Sequence, residues 1–373
     1  MDLFEKPKAR VLAYYLPQYH PIPENDKWWG KGFTEWTNVG KAKPLFLGHY
    51  QPHVPADLGY YDLRLPEVRQ AQADLAQKYG VEGFIYWHYW FGNGKRLLER
   101  PFNEVLKSRK PDFPFALAWA NETWKGFAFG VNNEREALIE QTYPGIDDYV
   151  NHFYTILPAF KDNRYITCDG KPLFIIYQAS NIPDVTEFIE LWNELAIKNG
   201  LKGIYFIAHE MERQTDEDVF LYYELRKNQG FDAINFVNTI VRRCDMPFLY
   251  KMLRKMFYKN PHFRLIPDIR PYNTSIFSTN LNKNSDVIPT IMPDWDHTPR
   301  TGKKGVVLVG STPNKFNIAV KKIMHDIELK EYDKRFIFIK SWNEWAEGNY
   351  MEPDLRWGTK YLEALAKEIL KNK

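Results

Sequence analysis

Cysteine is scarce in this chain. Only Cys168 and Cys244 occur in 373 residues, and their spacing fits neither a disulfide framework nor a four-ligand zinc site. A reducing compartment is the simpler setting, with one bridge as the alternative. Long apolar runs are missing too: no segment approaches the roughly 18 apolar residues that a membrane span needs. The opening residues, MDLFEKP, hold no apolar stretch of the signal-peptide kind. These absences lead us to expect a soluble cytoplasmic protein. Neither sign of charge dominates, since 50 basic and 47 acidic residues leave +3. No nucleic-acid footprint is therefore expected, and the basic stretch 254–264 reads as a solvated loop.

What the chain has in quantity is alternation. Short apolar runs rich in β-branched and aromatic residues alternate with segments of helical period almost from end to end. Strands are expected at 11–19, 83–91, 115–124, 172–178, 203–210, 231–236, 287–293 and 335–342. Helices are expected at 65–79, 101–110, 147–160, 185–199, 218–228, 315–329 and 360–371. The segment 185–199 has the clearest helical pattern, with Val185, Phe188, Ile189, Trp192, Leu195 and Ala196 on one face and Gly200 as the C-cap. Strand–helix alternation calls for a parallel sheet, and eight strands are the count of a closed (β/α)₈ TIM barrel. We expect one such barrel over residues 1–373, with long βα insertions at about 21–61 and 237–286. An open doubly wound sheet is the alternative. It normally shows a glycine-rich turn after an early strand, and none is present.

Reactive side chains gather just past the strand ends, where barrel active sites form. Gln18, Tyr19 and His20 follow the first strand, and His88 lies in the second. Asn121 and Glu122 follow the third, His209 and Glu210 end the fifth, and Asp294, Trp295, Asp296 and Arg300 follow the seventh. Asn343, Glu344 and Glu347 follow the eighth. Aromatic residues crowd the same places: Tyr15, Trp28, Trp29, Trp36, Trp87, Trp90, Trp119, Trp124, Trp342 and Trp345. Sugars present flat apolar faces edged with hydroxyls, so a site for them needs aromatic platforms rimmed by planar polar groups. A carboxyl pair supplies the chemistry, one group protonating a leaving oxygen while the other acts as base or nucleophile. A tryptophan wall raises the acid's pKa.

Plainer readings compete with these. A tryptophan in a strand is usually core. His88 alternates with aromatics and suits a satisfied core histidine equally well. Asp294-Trp295-Asp296 matches the D-x-D pattern that holds a metal in nucleotide-sugar transferases, but three-residue patterns arise by chance. Glu344 and Glu347 are harder to explain away, because several carboxylates at one strand end are costly to desolvate without a task.

Five ordered segments carry a family resemblance: GFTEWTNV (32–39), YWHYWF (86–91), LAWANETW (117–124), PTIMPDWDHTPR (289–300) and SWNEWAEG (341–348). Together they resemble the WbsX-type family, which is usually associated with loci for O-antigen or other surface polysaccharides. Its members are often labelled glycosyltransferases, yet they are related to the endo-mannosidases of glycoside hydrolase family 99. In those hydrolases a Glu-Trp-x-Glu segment after the last strand carries catalysis, matched here by Glu344-Trp345-Ala346-Glu347. The resemblance implies that Glu344 is the base that removes the proton of a sugar 2-hydroxyl. That oxygen then attacks its own anomeric carbon to form an epoxide-like intermediate. It implies that Glu347 protonates the departing oxygen and later activates water, with net retention. The chain departs at Ala346, where those hydrolases tend to carry histidine. Asn121-Glu122 also resembles the acid-bearing Asn-Glu of more ordinary retaining barrels, so Glu122 with Glu344 is a second catalytic assignment.

The expected function is a retaining endo-glycosidase acting on a bacterial surface polysaccharide, without metal or other cofactor. Its catalytic candidates are Glu344, Glu347 and Glu122. Its substrate-binding candidates are Tyr15, Trp36, Trp87, Trp90, Trp119, Asn121, Trp124, His209, Asp294, Trp295, Asp296, Arg300, Asn343 and Trp345. One alternative is a glycosyltransferase using an activated sugar, against which the lack of a glycine-rich phosphate loop speaks. Another is a glycan-binding barrel without activity, which Ala346 leaves open. The expected partner is an oligo- or polysaccharide, not a nucleic acid.

Overall fold

The computed structural model describes residues 6–126, 137–211, 216–237 and 266–370, together with Met252. Eight strands form its centre: β1 (Arg10–Tyr15), β2 (Gly83–Trp90), β3 (Phe115–Trp119), β4 (Lys171–Ile176), β5 (Tyr205–Met211), β6 (Ala233–Val237), β7 (Val287–Ile291) and β8 (Phe336–Ile339). Each pairs in parallel with its neighbours in sequence, and β8 pairs with β1. The sheet closes on itself, which is the expected (β/α)₈ barrel. Among the described residues seven helices lie around it: α1 (Pro66–Lys78), α2 (Arg100–Ser108), α3 (Ile146–Phe160), α4 (Val185–Lys198), α5 (Asp216–Asn228), α6 (Pro313–Ile327) and α7 (Lys360–Ile369).

The local sequence explains these elements. α4 starts where the Asp184 side chain accepts the Glu187 amide at 3.0 Å, and it buries Val185, Phe188, Ile189, Trp192 and Ala196 against the sheet. α6 starts at Thr312, with proline as its first residue, and buries Phe316, Ala319, Val320, Ile323 and Ile327. β2 must begin with glycine, because a Cβ at Gly83 would lie 2.5 Å from the Pro114 carbonyl oxygen.

Four features of the mouth differ from expectation. The first strand stops at Tyr15 rather than running to Tyr19. The third strand stops at Trp119 rather than running to Trp124, and Trp124–Lys125 instead pairs antiparallel with Ala137–Ile139. The eighth stops at Ile339. A small parallel sheet of Asp268–Pro271 and Val306–Val309, which the apolar pattern did not announce, stands beside the barrel. Part of the first insertion forms two short helices, Pro23–Trp29 and Glu35–Lys41. Cys168 is buried, whereas Cys244 and the basic stretch 254–264 lie outside the described residues. Among the described residues no helix is long and apolar enough to cross a membrane.

Candidate active site

Side chains alternate between the two faces of a strand, so the barrel wall has an inner and an outer set. On β2, Trp87 and Tyr89 face inward and His88 and Trp90 outward. Trp87 stacks on Tyr14 of β1, with ring centres 4.7 Å apart and 12° between planes. Above this floor opens a cavity of about 600 Å³. Gln18, Trp28, Glu35, Tyr89, Trp124 and Tyr177 are among its walls, together with Glu122, Arg300, Lys340, Glu344 and Glu347.

Two Asn-Glu pairs place two of these groups by one device. Past β8, the Asn343 side chain accepts the Leu16 amide at 2.7 Å and donates to the Leu16 carbonyl at 3.1 Å. Past β3, Asn121 accepts the Gln178 amide at 2.8 Å and donates to the Gln178 carbonyl at 2.9 Å. Each amide side chain thus takes over the ladder where its own strand stops, and the glutamate that follows projects into the cavity. The next turn, Trp345–Glu347, is held by the Asp296 amide, which donates to the Glu347 carbonyl at 2.6 Å. Gly348 closes it at φ 66°, where a Cβ would meet the Asp296 amide nitrogen at 2.7 Å.

Glu344 and Glu347 therefore stand side by side. Trp87 Nε1 donates to Glu344 Oε1 at 3.1 Å. The Asn349 amide nitrogen reaches both carboxyls, at 3.4 Å to Glu344 and 3.1 Å to Glu347. Arg300 binds Glu347 through one terminal nitrogen and Glu35 through Nε at 3.1 Å. Burial, the Glu347 charge and a hydrogen bond shared with Glu347 push the Glu344 carboxyl above the carboxylate range. Burial opposes ionisation of Glu347 as well, but Arg300 and Lys340 outweigh it and hold that carboxyl below its usual range. Of the two carboxyls, Glu344 is the one whose surroundings favour the proton. That ordering is opposite to the acid and base roles the resemblance implies, and burial together with the Arg300 and Lys340 charges causes it. Glu122, on another wall, is raised chiefly by burial.

Of the substrate-binding candidates, Trp87, Trp124 and Arg300 reach the cavity. The others do not line it. Tyr15 points outward, its hydroxyl donating to Gln72 at 2.7 Å. Trp90 and Trp119 form an outer layer around His152, their indole nitrogens bound by Asp148 and the Trp90 carbonyl. Asn121 and Asn343 act through backbone, as described. His209 packs inside the barrel against Tyr14, Trp87 and Tyr177, with Nδ1 3.1 Å from Asn235. Trp36 and Trp345 pack behind the pair; Trp36 donates to the Tyr61 carbonyl and Trp345 to Glu352. The Asp296 carboxylate takes His49, Gln51 and Thr298 as partners, while Asp294 accepts the Trp295 amide. Trp295 lies under Lys340.

Glu35, Tyr89, Tyr177, Lys340 and Asn349 were not singled out beforehand. Period two along β2 pairs Tyr89 with Trp87, and Tyr177 occupies the equivalent strand-end position after β4. Lys340 is the one charge closing the apolar run Phe336–Ile339. Nothing in the sequence marks Asn349.

A family model described as "Glycosyltransferase WbsX" matches residues 11–365. Two curated relatives from strains of Xanthomonas campestris pv. campestris, each described as an uncharacterized protein WxcX, are 34% identical over 362 residues. The match covers 95% of this chain and 49% of theirs, so the chain spans about half the length of those relatives. Among solved structures, a glycoside hydrolase-like protein superposes with a TM-score of 0.62 at 15% identity, covering 100% of this chain and 97% of that one. An endo-α-mannosidase of glycoside hydrolase family 99 from Bacteroides thetaiotaomicron gives 0.57 at 16%, covering 98% and 96%. At those identities the structural likeness is one of fold. The family match, by contrast, is a likeness of sequence over nearly the whole length, and by it this chain belongs to the WbsX glycosyltransferase family, a glycan-active family on a hydrolase-like barrel.

Proposed function

We propose that this chain is a retaining endo-glycosidase that cuts a bacterial surface polysaccharide with the Glu344–Glu347 pair. The single observation that carries this reading is two buried carboxyls, bridged by the Asn349 amide, side by side in an aromatic-walled cavity. In the reaction the ionised Glu344 takes the proton of a sugar 2-hydroxyl, and the freed oxygen bonds to the anomeric carbon. The bond from that carbon to the next sugar breaks, and its oxygen receives the Glu347 proton. Water then opens the epoxide, giving a proton to Glu347 while Glu344 returns its own to the 2-oxygen. These roles require the proton that Glu344 favours at rest to be on Glu347 when the sugar is bound. A sugar that draws Arg300 away from Glu347 makes that placement favourable.

The family's description favours a second reading, transfer from an activated sugar to a growing glycan. Incubation with surface polysaccharides, with and without nucleotide sugars, separates the two. Shorter oligosaccharides without nucleotide support the hydrolase. Nucleotide release coupled to elongation, with no cleavage, overturns it.

A further inference from the structure

The floor of the cavity holds a cation that takes no proton and forms no bond in the proposed reaction, although its charge favours the ionised Glu347. Lys340 leaves β8 with its amide bonded to the Ile291 carbonyl, and the residue is 6% exposed. Its ammonium opens on the cavity and stands 5.3 Å from the centre of the Trp295 ring. Among the described residues no side chain or carbonyl accepts a hydrogen bond from that ammonium, and no carboxylate lies within ion-pair distance. Arg300, in contrast, is ion-paired with both Glu35 and Glu347. The carboxyls of Glu122, Glu344 and Glu347 attract Lys340 through space. None of them bonds its ammonium, and Glu347 is bound by Arg300.

A nearly buried ammonium without an acceptor is unfavourable, and its three N–H groups face the space where a sugar would lie. Sugar hydroxyls could accept one of them. A carboxylate would form a charge-assisted bond about twice as strong as a neutral one and would cancel the charge. We propose that Lys340 binds a carboxylate on the sugar seated over Trp87, so that the glycan is an acidic one carrying hexuronic acid beside the bond attacked. This rests on reading the cavity as a glycan site, and it adds the substrate's charge. A different role for Lys340, acting only through its field on the glutamate pair, would leave such discrimination absent.

Binding tests the proposal without requiring cleavage. Methyl glycosides of glucuronic and galacturonic acid are titrated calorimetrically into the full chain, beside their carboxyl methyl esters and the neutral methyl hexosides. At least one uronate is expected to bind about tenfold tighter than its ester and its neutral counterpart. Lys340→Met is expected to bring that ratio close to one, with Lys340→Gln as a second variant should the first fail to fold. Equal affinities in the wild type overturn the proposal whatever the variants do, and so does a uronate preference that survives both substitutions. Polysaccharide cleavage with no uronate preference would remove the acidic substrate and keep the glycosidase. A Lys340-dependent preference without cleavage would do the reverse.

Discussion

The two faces of strand β2 carry nearly the same chemistry and do different work. Inward, Trp87 donates to Glu344, stacks on Tyr14 and floors the cavity. Outward, three residues later, Trp90 donates to Asp148 at 2.9 Å and stacks on His152 with ring centres 4.5 Å apart. Both are tryptophans bonded to a carboxylate beside a second aromatic ring. One of these carboxylates shares a cavity with Glu347 and Arg300, and the other is enclosed between wall and helix. The comparison teaches that residue type and position near a strand end do not mark function; the face does.

Five substitutions test that contrast, beginning with the largest effect. Glu344→Gln and Glu347→Gln should each lower glycan cleavage by on the order of 10³-fold while melting within a few degrees of the wild type. Cleavage at wild-type rate by both would transfer the catalytic role to Glu122. Gly348→Ala keeps both carboxyls but forces a Cβ against Asp296, shifting the turn that presents Glu347. A displacement of about 1 Å can cost on the order of 10²-fold, so kcat should fall by about that much; an unchanged kcat would mean that the turn tolerates the shift.

Arg300→Met removes the charge that keeps Glu347 ionised. The sign follows: the Glu347 carboxyl rises, and the acid limb of the pH–rate profile, which reports loss of that charge, moves to higher pH. An acid limb that stays in place would show that another group sets it. The smallest effect on activity belongs to the outer face. Trp90→Phe leaves Asp148 without its indole donor, which should cost about 1–3 kcal/mol of stability and change kcat/KM by less than about twofold. A loss of activity comparable to that of the glutamate variants would erase the distinction between the faces.

Much of the fold was legible because its signals are local. Eight apolar runs separated by helical segments specify a parallel barrel whatever their later contacts. The ends of β3 and β8 were not legible. There the ladder is taken over by the side chains of Asn121 and Asn343, and nothing in a run of residues shows which backbone an amide will meet. The same holds for the cavity. Glu344 and Glu347 were visible as carboxylates at a strand end, whereas Glu35 enters from a short helix more than 300 positions away and shows its part only through Arg300. Tyr15, Trp90 and Trp119 were drawn into the expected site by chemistry and excluded from it by parity.

By itself the sequence determined the strand–helix alternation, and with it the eight-stranded closure and the end of the barrel that carries reactive groups. Periodicity and chain order suffice for that. Only the tertiary structure decided which face each aromatic takes, and which of the paired glutamates favours the proton. The second of these depends on Arg300 and Lys340 lying across the cavity, and electrostatic energy follows distance in space rather than separation along the chain.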